Sequence, residues 1–283
     1  MTRLRFVRLA MSSVLVAMVC SSAAAAWALA GGEAKSGFVS VDGHEMYYEC
    51  SGAGAPTVVL DAGSPDTSAT WRSIQSQIAK VTRVCAYDRA GLGRSSPAAQ
   101  GRRTPRTQIH DLRVMLDAAN IAGPYVVVGH SWGGLLARLF AFTYPHLTAG
   151  VVLVDATTFP YLTPATAEHL RRKTDREGIS IVAAVTESAQ ITSLGHLPLI
   201  VLGSNEPPLD AKLLRAQDAE AALSTNSINV IARQSTHYIQ RPPPTGQPQL
   251  VIAAVDAVVD AARNHHGLPA CRRLFSEPAA SCR

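Results

Sequence analysis

Between residues 38 and 262, short runs of apolar residues alternate with segments whose apolar positions recur every three to four residues. Residues 38–41 and 44–50 read as a strand pair, with Asp42-Gly43 as a two-residue turn. Residues 57–61, 83–87, 125–128, 151–154, 199–202 and 228–231 read as further strands, mostly continuous Val, Ile and Leu. Helical spacing is carried by Trp71, Ile74 and Ile78 within 68–80. The same spacing recurs in Ile109, Leu112, Met115 and Leu116, behind Thr104-Pro105 as a helix start. Residues 135–142 and 250–262 complete the helical set. Strands that are apolar throughout must be covered on both faces. The pattern therefore predicts an α/β fold: an eight-stranded, mostly parallel sheet with helices on both sides.

Residues 156–195 break this alternation. They contain no clean strand and carry Arg171-Arg172-Lys173-Thr174-Asp175-Arg176-Glu177. The stretch reads as a short helical lid inserted into the sheet, and the charged cluster as a solvated helix face.

The first 30 residues belong to a different kind of segment. Arg3, Arg5 and Arg8 precede the apolar run 9–20, and Ala28-Leu29-Ala30 supplies small residues with A-x-A spacing. This is the layout of a cleaved export signal, with the domain occupying 31–283. Val19 before Cys20 is too bulky for a lipid-attachment site, and the apolar run is too short for a comfortable membrane span. The mature chain is expected to be secreted or held in the cell envelope, without a stable membrane anchor. Residues 1–30 hold three arginines and no acid, so the net charge falls from +5 to +2 without them. No basic run with interleaved aromatics exists to suggest nucleic-acid binding.

Beyond the leader stand Cys50, Cys85, Cys271 and Cys282. An even number of cysteines in an exported chain points to two disulfides, in one of three pairings. The favoured pairing is Cys50–Cys85 with Cys271–Cys282, the second stapling a polar tail (about 265–283). Four free thiols are the alternative.

The chemistry concentrates at Gly129-His130-Ser131-Trp132-Gly133, a G-x-S-x-G segment between a strand and a helix. That context makes it a nucleophile elbow, with Ser131 presented at the carboxyl edge of the sheet and at a helix N-terminus. A serine hydroxyl needs a base. His237 lies after the last strand read from the sequence, 228–231, where the Ser–acid–His order of such sites places it. Two acids compete to orient it. Asp155 ends one strand and Glu206 follows the next; Asp155 is preferred for its shorter side chain. Two backbone N–H groups are needed for an oxyanion. Trp132 is expected to give one and Ser64, in the loop Asp61-Ala62-Gly63-Ser64, the other.

These residues resemble the α/β-hydrolase superfamily. The closer likeness is to secreted bacterial members with a D-R-A-G-x-G-x-S segment, here Asp88 to Ser95. Gly123-Pro124-Tyr125, the V-L-V-D-A at 152–156 and the late T-H-Y-I-Q extend the likeness. It covers roughly residues 38–262. The resemblance implies the α/β-hydrolase fold, a Ser131–acid–His237 triad and hydrolysis through an acyl-enzyme. Under it, Asp88 and Arg89 hold the loops around the elbow. The chain departs from many relatives in having Ala62-Gly63 where they have His-Gly, and in a longer Pro-rich segment at 241–247.

The function expected is that of a serine hydrolase acting on small carboxylic esters, with no metal or organic cofactor. An amidase or proline-iminopeptidase-like aminopeptidase of the same fold is the enzymatic alternative. A non-catalytic binding protein on the same scaffold is the alternative of another class. Oligomeric state is not legible.

Overall fold

The computed structural model describes residues 34–98, 103–159, 164–173, 177–206 and 210–283. The leader-like segment 1–30 lies outside the described residues.

The chain opens with the hairpin of β1 (Lys35–Val41) and β2 (His44–Ser51), in which Val41 faces His44. Asp42 and Gly43 both have positive φ, as a two-residue hairpin turn demands. There follow β3 (Thr57–Asp61), α1 (Arg72–Ile78) after one turn of 3-10 helix, and β4 (Val84–Tyr87). Next come α2 (Pro105–Ala118), β5 (Tyr125–His130), α3 (Trp132–Thr143) and β6 (Thr148–Val154). Thr104 caps α2: its hydroxyl accepts the N–H of Thr107, and Pro105 stands in the first turn, where no N–H partner is needed.

The insertion contains α4 (Pro164–Lys173) and α5 (Ile181–Ser188). Then come β7 (Leu199–Ser204), α6 (Ala211–Ala221), β8 (Ser227–Ala232), α7 (Pro248–Asn264), α8 (Cys271–Leu274) and β9 (Ala280–Cys282).

The nine strands among the described residues form one sheet, in the order β1-β2-β4-β3-β5-β6-β7-β8-β9. From β4 to β8 every pairing is parallel; β1, β2 and β9 pair antiparallel at the two edges. All eight expected strands are present. The ninth is new and comes from the tail. Ala280 to Cys282 pair with Val230 to Ala232, while Phe275 and Ala280 are buried against the core. Three residues bounded by Pro278 and the C-terminus carry too little pattern to read as a strand.

The sheet separates two cores. Val59, Val127, Val151 and Val201 face one side, where α2 and α3 pack. Val58, Val126, Val128 and Val152 face the other, with α1 and α7. This alternation within V-V-V is the pleat: one β-branched run fills two cores. α6 escaped the hydrophobic pattern because its inward face carries Gln217 and Glu220 beside Ala221.

Both favoured disulfides are present. Cys50–Cys85 ties the adjacent strands β2 and β4, and Cys271–Cys282 ties α8 to β9. No helix among the described residues is long and apolar enough to cross a membrane.

Candidate active site

The parallel strands all point their carboxyl ends at one edge of the sheet, and the residues singled out above follow those ends. Ser131 sits between β5 and α3 with φ 51° and ψ −116°, a conformation that non-glycine residues rarely hold. Holding it requires bare backbone on both sides. A Cβ on Gly129 would collide with the carbonyl of Gly133, and one on Gly133 would collide with that of Asp61. The Ser131 N–H donates to the Val154 carbonyl (3.0 Å), and its carbonyl accepts from Thr157 (2.8 Å). The turn is thus strapped to the end of β6.

Asp155 follows β6, also at positive φ. Its Oδ1 accepts the Ser204 N–H at 2.8 Å and its Oδ2 the Ser204 hydroxyl at 3.0 Å. Oδ2 also lies 2.6 Å from Nδ1 of His237. Glu206 takes a different place. Its Oε2 accepts the backbone N–H of His237 at 2.6 Å, and no hydrogen bond joins it to the imidazole. Both acids therefore grip the same residue, Asp155 by its ring and Glu206 by its backbone.

A third contact comes from His130. Its Nε2 lies 2.9 Å from the His237 carbonyl, and the two rings are 4.6 Å apart between centroids. Burial pushes the pKa of His130 well below the usual value, with the nearby His237 adding to the shift. A neutral ring facing a carbonyl must carry its proton on Nε2. The sequence assigns His130 only as the variable position of G-x-S-x-G. The contact to a loop more than 100 residues away leaves no local pattern.

The loop after β3 presses on the elbow from the other side. A Cβ placed on Gly63 would fall 2.9 Å from His130 Nδ1 and 3.2 Å from Ser131 Cβ. Ser64 is the next residue. The N–H of Trp132 is the first of α3, where a helix offers no internal partner.

Beneath this loop lies buried Arg89. Its Nη1 donates to Asp61 Oδ1 (2.6 Å) and to the Ala62 carbonyl, and its Nη2 to the Gly63 carbonyl (3.0 Å). Burial raises the Asp61 carboxyl to about 6, although Arg89 pulls it down. The second carboxylate on Arg89 is Glu177, at 2.6 Å from Nε. This corrects the reading of 171–177 as a solvated face. Arg171 and Arg172 are exposed, with Arg171 on Glu168, but Glu177 is buried. The available signal was the pair Ile179 and Ile181 directly after it, both of which are buried.

Asp88 accepts the N–H groups of Ser68 and Arg94. The Pro-rich segment after His237 borders a recess of about 400 Å³ with Asp66, Thr67, Thr70, Arg241 and Pro242 in its wall. Arg241 lies over the ring of Tyr238. No three His, Cys, Asp or Glu side chains among the described residues converge as metal ligands.

Residues 56–265 match the family described as having an α/β-hydrolase fold. The chain belongs to that family. This α/β hydrolase is 29% identical over 207 residues to the uncharacterised protein YqjL of Bacillus subtilis (strain 168), covering 68% of this chain and 81% of that one. It is 32% identical over 117 residues to the soluble epoxide hydrolase of Corynebacterium sp. (strain C12), covering 41% of this chain and 39% of that one. Other relatives are also matched over well under two thirds of their length, at 19% and 30% for the "probable transporter efuK" of Hormonema carpetanum and an AB hydrolase superfamily protein of Gibberella zeae. Among solved structures, a thermophilic esterase from Thermogutta terrifontis superposes with a TM-score of 0.62 at 22% identity, covering 82% of this α/β hydrolase and 99% of the esterase. That likeness is one of fold.

Proposed function

We propose that this α/β hydrolase is an exported serine esterase that works through an acyl-enzyme. The observation that carries the proposal is a strained elbow serine, Ser131, strapped to the end of β6, from which Asp155 holds Nδ1 of His237 at 2.6 Å. With Nδ1 committed to the carboxylate, Nε2 is left to act on the serine. In the first half-reaction the Ser131 oxygen bonds to the ester carbon and its proton passes to His237. Asp155 stabilises the imidazolium so formed. The carbonyl oxygen becomes an oxyanion facing the N–H groups of Trp132 and Ser64. Collapse breaks the bond to the alcohol, which leaves with the proton from His237. Water, deprotonated by His237, then attacks the acyl-enzyme and releases the acid.

A serine at the elbow argues against the chemistry of epoxide hydrolases and dehalogenases, which use a carboxylate there. The ester reading is favoured over the aminopeptidase reading by the insertion. A cap that binds a substrate amine needs an available acid. Among the described residues of the insertion, Glu177 is taken by Arg89, Glu168 by Arg171 and Glu187 by the N–H of Arg106, whereas Asp175 lies outside the described residues. Export is supported by the leader-like N-terminus and by the two disulfides.

The test is a comparison of p-nitrophenyl esters of increasing acyl length with aminoacyl p-nitroanilides, with Ser131→Ala as control. Ester turnover that vanishes in the variant, with anilides untouched, is expected. Anilide turnover that exceeds ester turnover would move the assignment to an aminopeptidase.

A further inference from the structure

Glu177 accepts from four donors. Its Oε1 accepts the Ser64 hydroxyl at 2.5 Å and Arg89 Nη2 at 3.1 Å. Its Oε2 accepts Arg89 Nε at 2.6 Å and Gln108 Nε2 at 2.9 Å. Gln108 in turn accepts the indole N–H of Trp132 at 2.9 Å. One carboxylate from the insertion therefore reaches both residues whose backbone N–H groups the proposed mechanism assigns to the oxyanion. The link to Ser64 is direct, and the link to Trp132 passes through one amide.

The backbone around Glu177 is fastened as well. Gly178 accepts the N–H of Arg103 at 2.9 Å, and Ser180 donates to the Arg103 carbonyl at 2.8 Å. Arg103 lies two residues before the start of α2, the helix that carries Gln108. Arg89 closes the ring, because the guanidinium that binds Glu177 also binds the Ala62 and Gly63 carbonyls. An N–H at 64 can be aimed only if the peptides before it are held, and these are the peptides Arg89 holds.

We propose that Glu177 is a positioning residue for oxyanion stabilisation, acting through Ser64, Arg89 and Gln108 to fix both backbone donors beside Ser131. The proposal rests on the reading of Ser131 as an acyl nucleophile. Glu177 touches no substrate. It makes the insertion a structural part of the oxyanion site rather than only a cover over it. A glutamine in its place has a single acceptor oxygen, so at one end of the amide two donors would face an NH2 group.

The experiment compares the wild type with Glu177→Gln and Ser64→Ala, the second removing only the hydroxyl link and keeping the N–H. Each protein is assayed for kcat and KM on a p-nitrophenyl ester and for inhibition by an alkyl trifluoromethyl ketone. Ser131 adds to the ketone carbon, its proton passes to His237, and the ketone oxygen becomes an oxyanion. Glu177→Gln is expected to lower kcat by about tenfold or more, with KM within about twofold, and to weaken the ketone in proportion. Ser64→Ala is expected to show the same split more weakly. Thermal midpoints are recorded so that a loss of fold, which would lower the active fraction without changing ketone affinity, is recognised. Should Glu177→Gln not fold, Ser64→Ala decides. Wild-type kcat and ketone affinity in the folded variants would overturn the proposal. A wild type that neither turns over the ester nor binds the ketone would instead overturn the reading of Ser131, and the proposal with it.

Discussion

Glu206 binds the backbone N–H of His237 at 2.6 Å, while the imidazole of the same residue is held by Asp155. The two acids that compete for one role in the sequence occupy two places in the structure. Removing the partner of Nδ1 should be far more damaging than removing the partner of the main chain. Asp155→Asn is expected to lower kcat by about three to four orders of magnitude, as the tautomer is lost. Glu206→Ala is expected to lower it about tenfold, the cost of a looser loop. Steady-state kinetics on the two variants check this. A larger loss for Glu206→Ala would reverse the assignment.

His130 holds the same loop from below. His130→Phe keeps most of the ring volume but leaves the His237 carbonyl without its donor. Such an unpaired group costs about 1–3 kcal/mol, so kcat should fall about tenfold with little change in KM. Because burial keeps His130 neutral near pH 7, the acid limb of the pH–rate profile should keep its midpoint. A displaced limb in the variant would show that His130 itself titrates during turnover.

Stability should depend on pH through Glu220. This carboxyl on α6 is buried against Arg138, with a 2.6 Å contact, and burial raises it to about 7. A carboxyl raised in the folded state binds its proton more tightly there than when unfolded. Its stabilising contribution is full below the unfolded value of 4.5 and is lost as pH rises through about 7. Asp61, raised to about 6, acts in the same direction. The thermal midpoint is expected to fall between pH 5 and 8, and to fall less steeply in Glu220→Gln. Equal slopes in both proteins would remove Glu220 as the cause.

The tail strand depends on its staple. Cys271 and Cys282 are 11 residues apart, and closing a loop of that size contributes about 3 kcal/mol in the chain-entropy estimate. Replacing both by Ser is expected to lower stability by roughly 2–3 kcal/mol and to speed amide exchange in β8, where β9 pairs. Unchanged exchange at Val230 to Ala232 would mean that the other tail contacts, such as buried Phe275 and the Arg283–Asp218 pair, hold the tail without the staple.

What was legible in the sequence had a local signature. The V-V-V run, the glycines around Ser131 and the Thr104-Pro105 cap each describe their own surroundings. The eight main strands and the elbow follow from such signals. Three features were not legible, for one shared reason. Glu177 looks like the end of a charged run, and only Arg89, 88 positions earlier, makes it a buried carboxylate. α6 presents Gln217 and Glu220 inward because Arg138 meets Glu220 from α3, so its apolar period is weak. β9 is too short to show alternation and exists through its pairing with β8. Buried polar partners and edge pairing are long-range facts, whereas hydrophobic periodicity is a short-range one.

The central claim is that Ser131 is an activated nucleophile. Its most direct test is a fluorophosphonate probe on the purified protein, read by peptide mass spectrometry beside Ser131→Ala. Phosphonylation of the peptide carrying Ser131, absent from the variant, is the predicted result. A folded wild-type protein that takes no label would contradict the account and leave the elbow as architecture without chemistry.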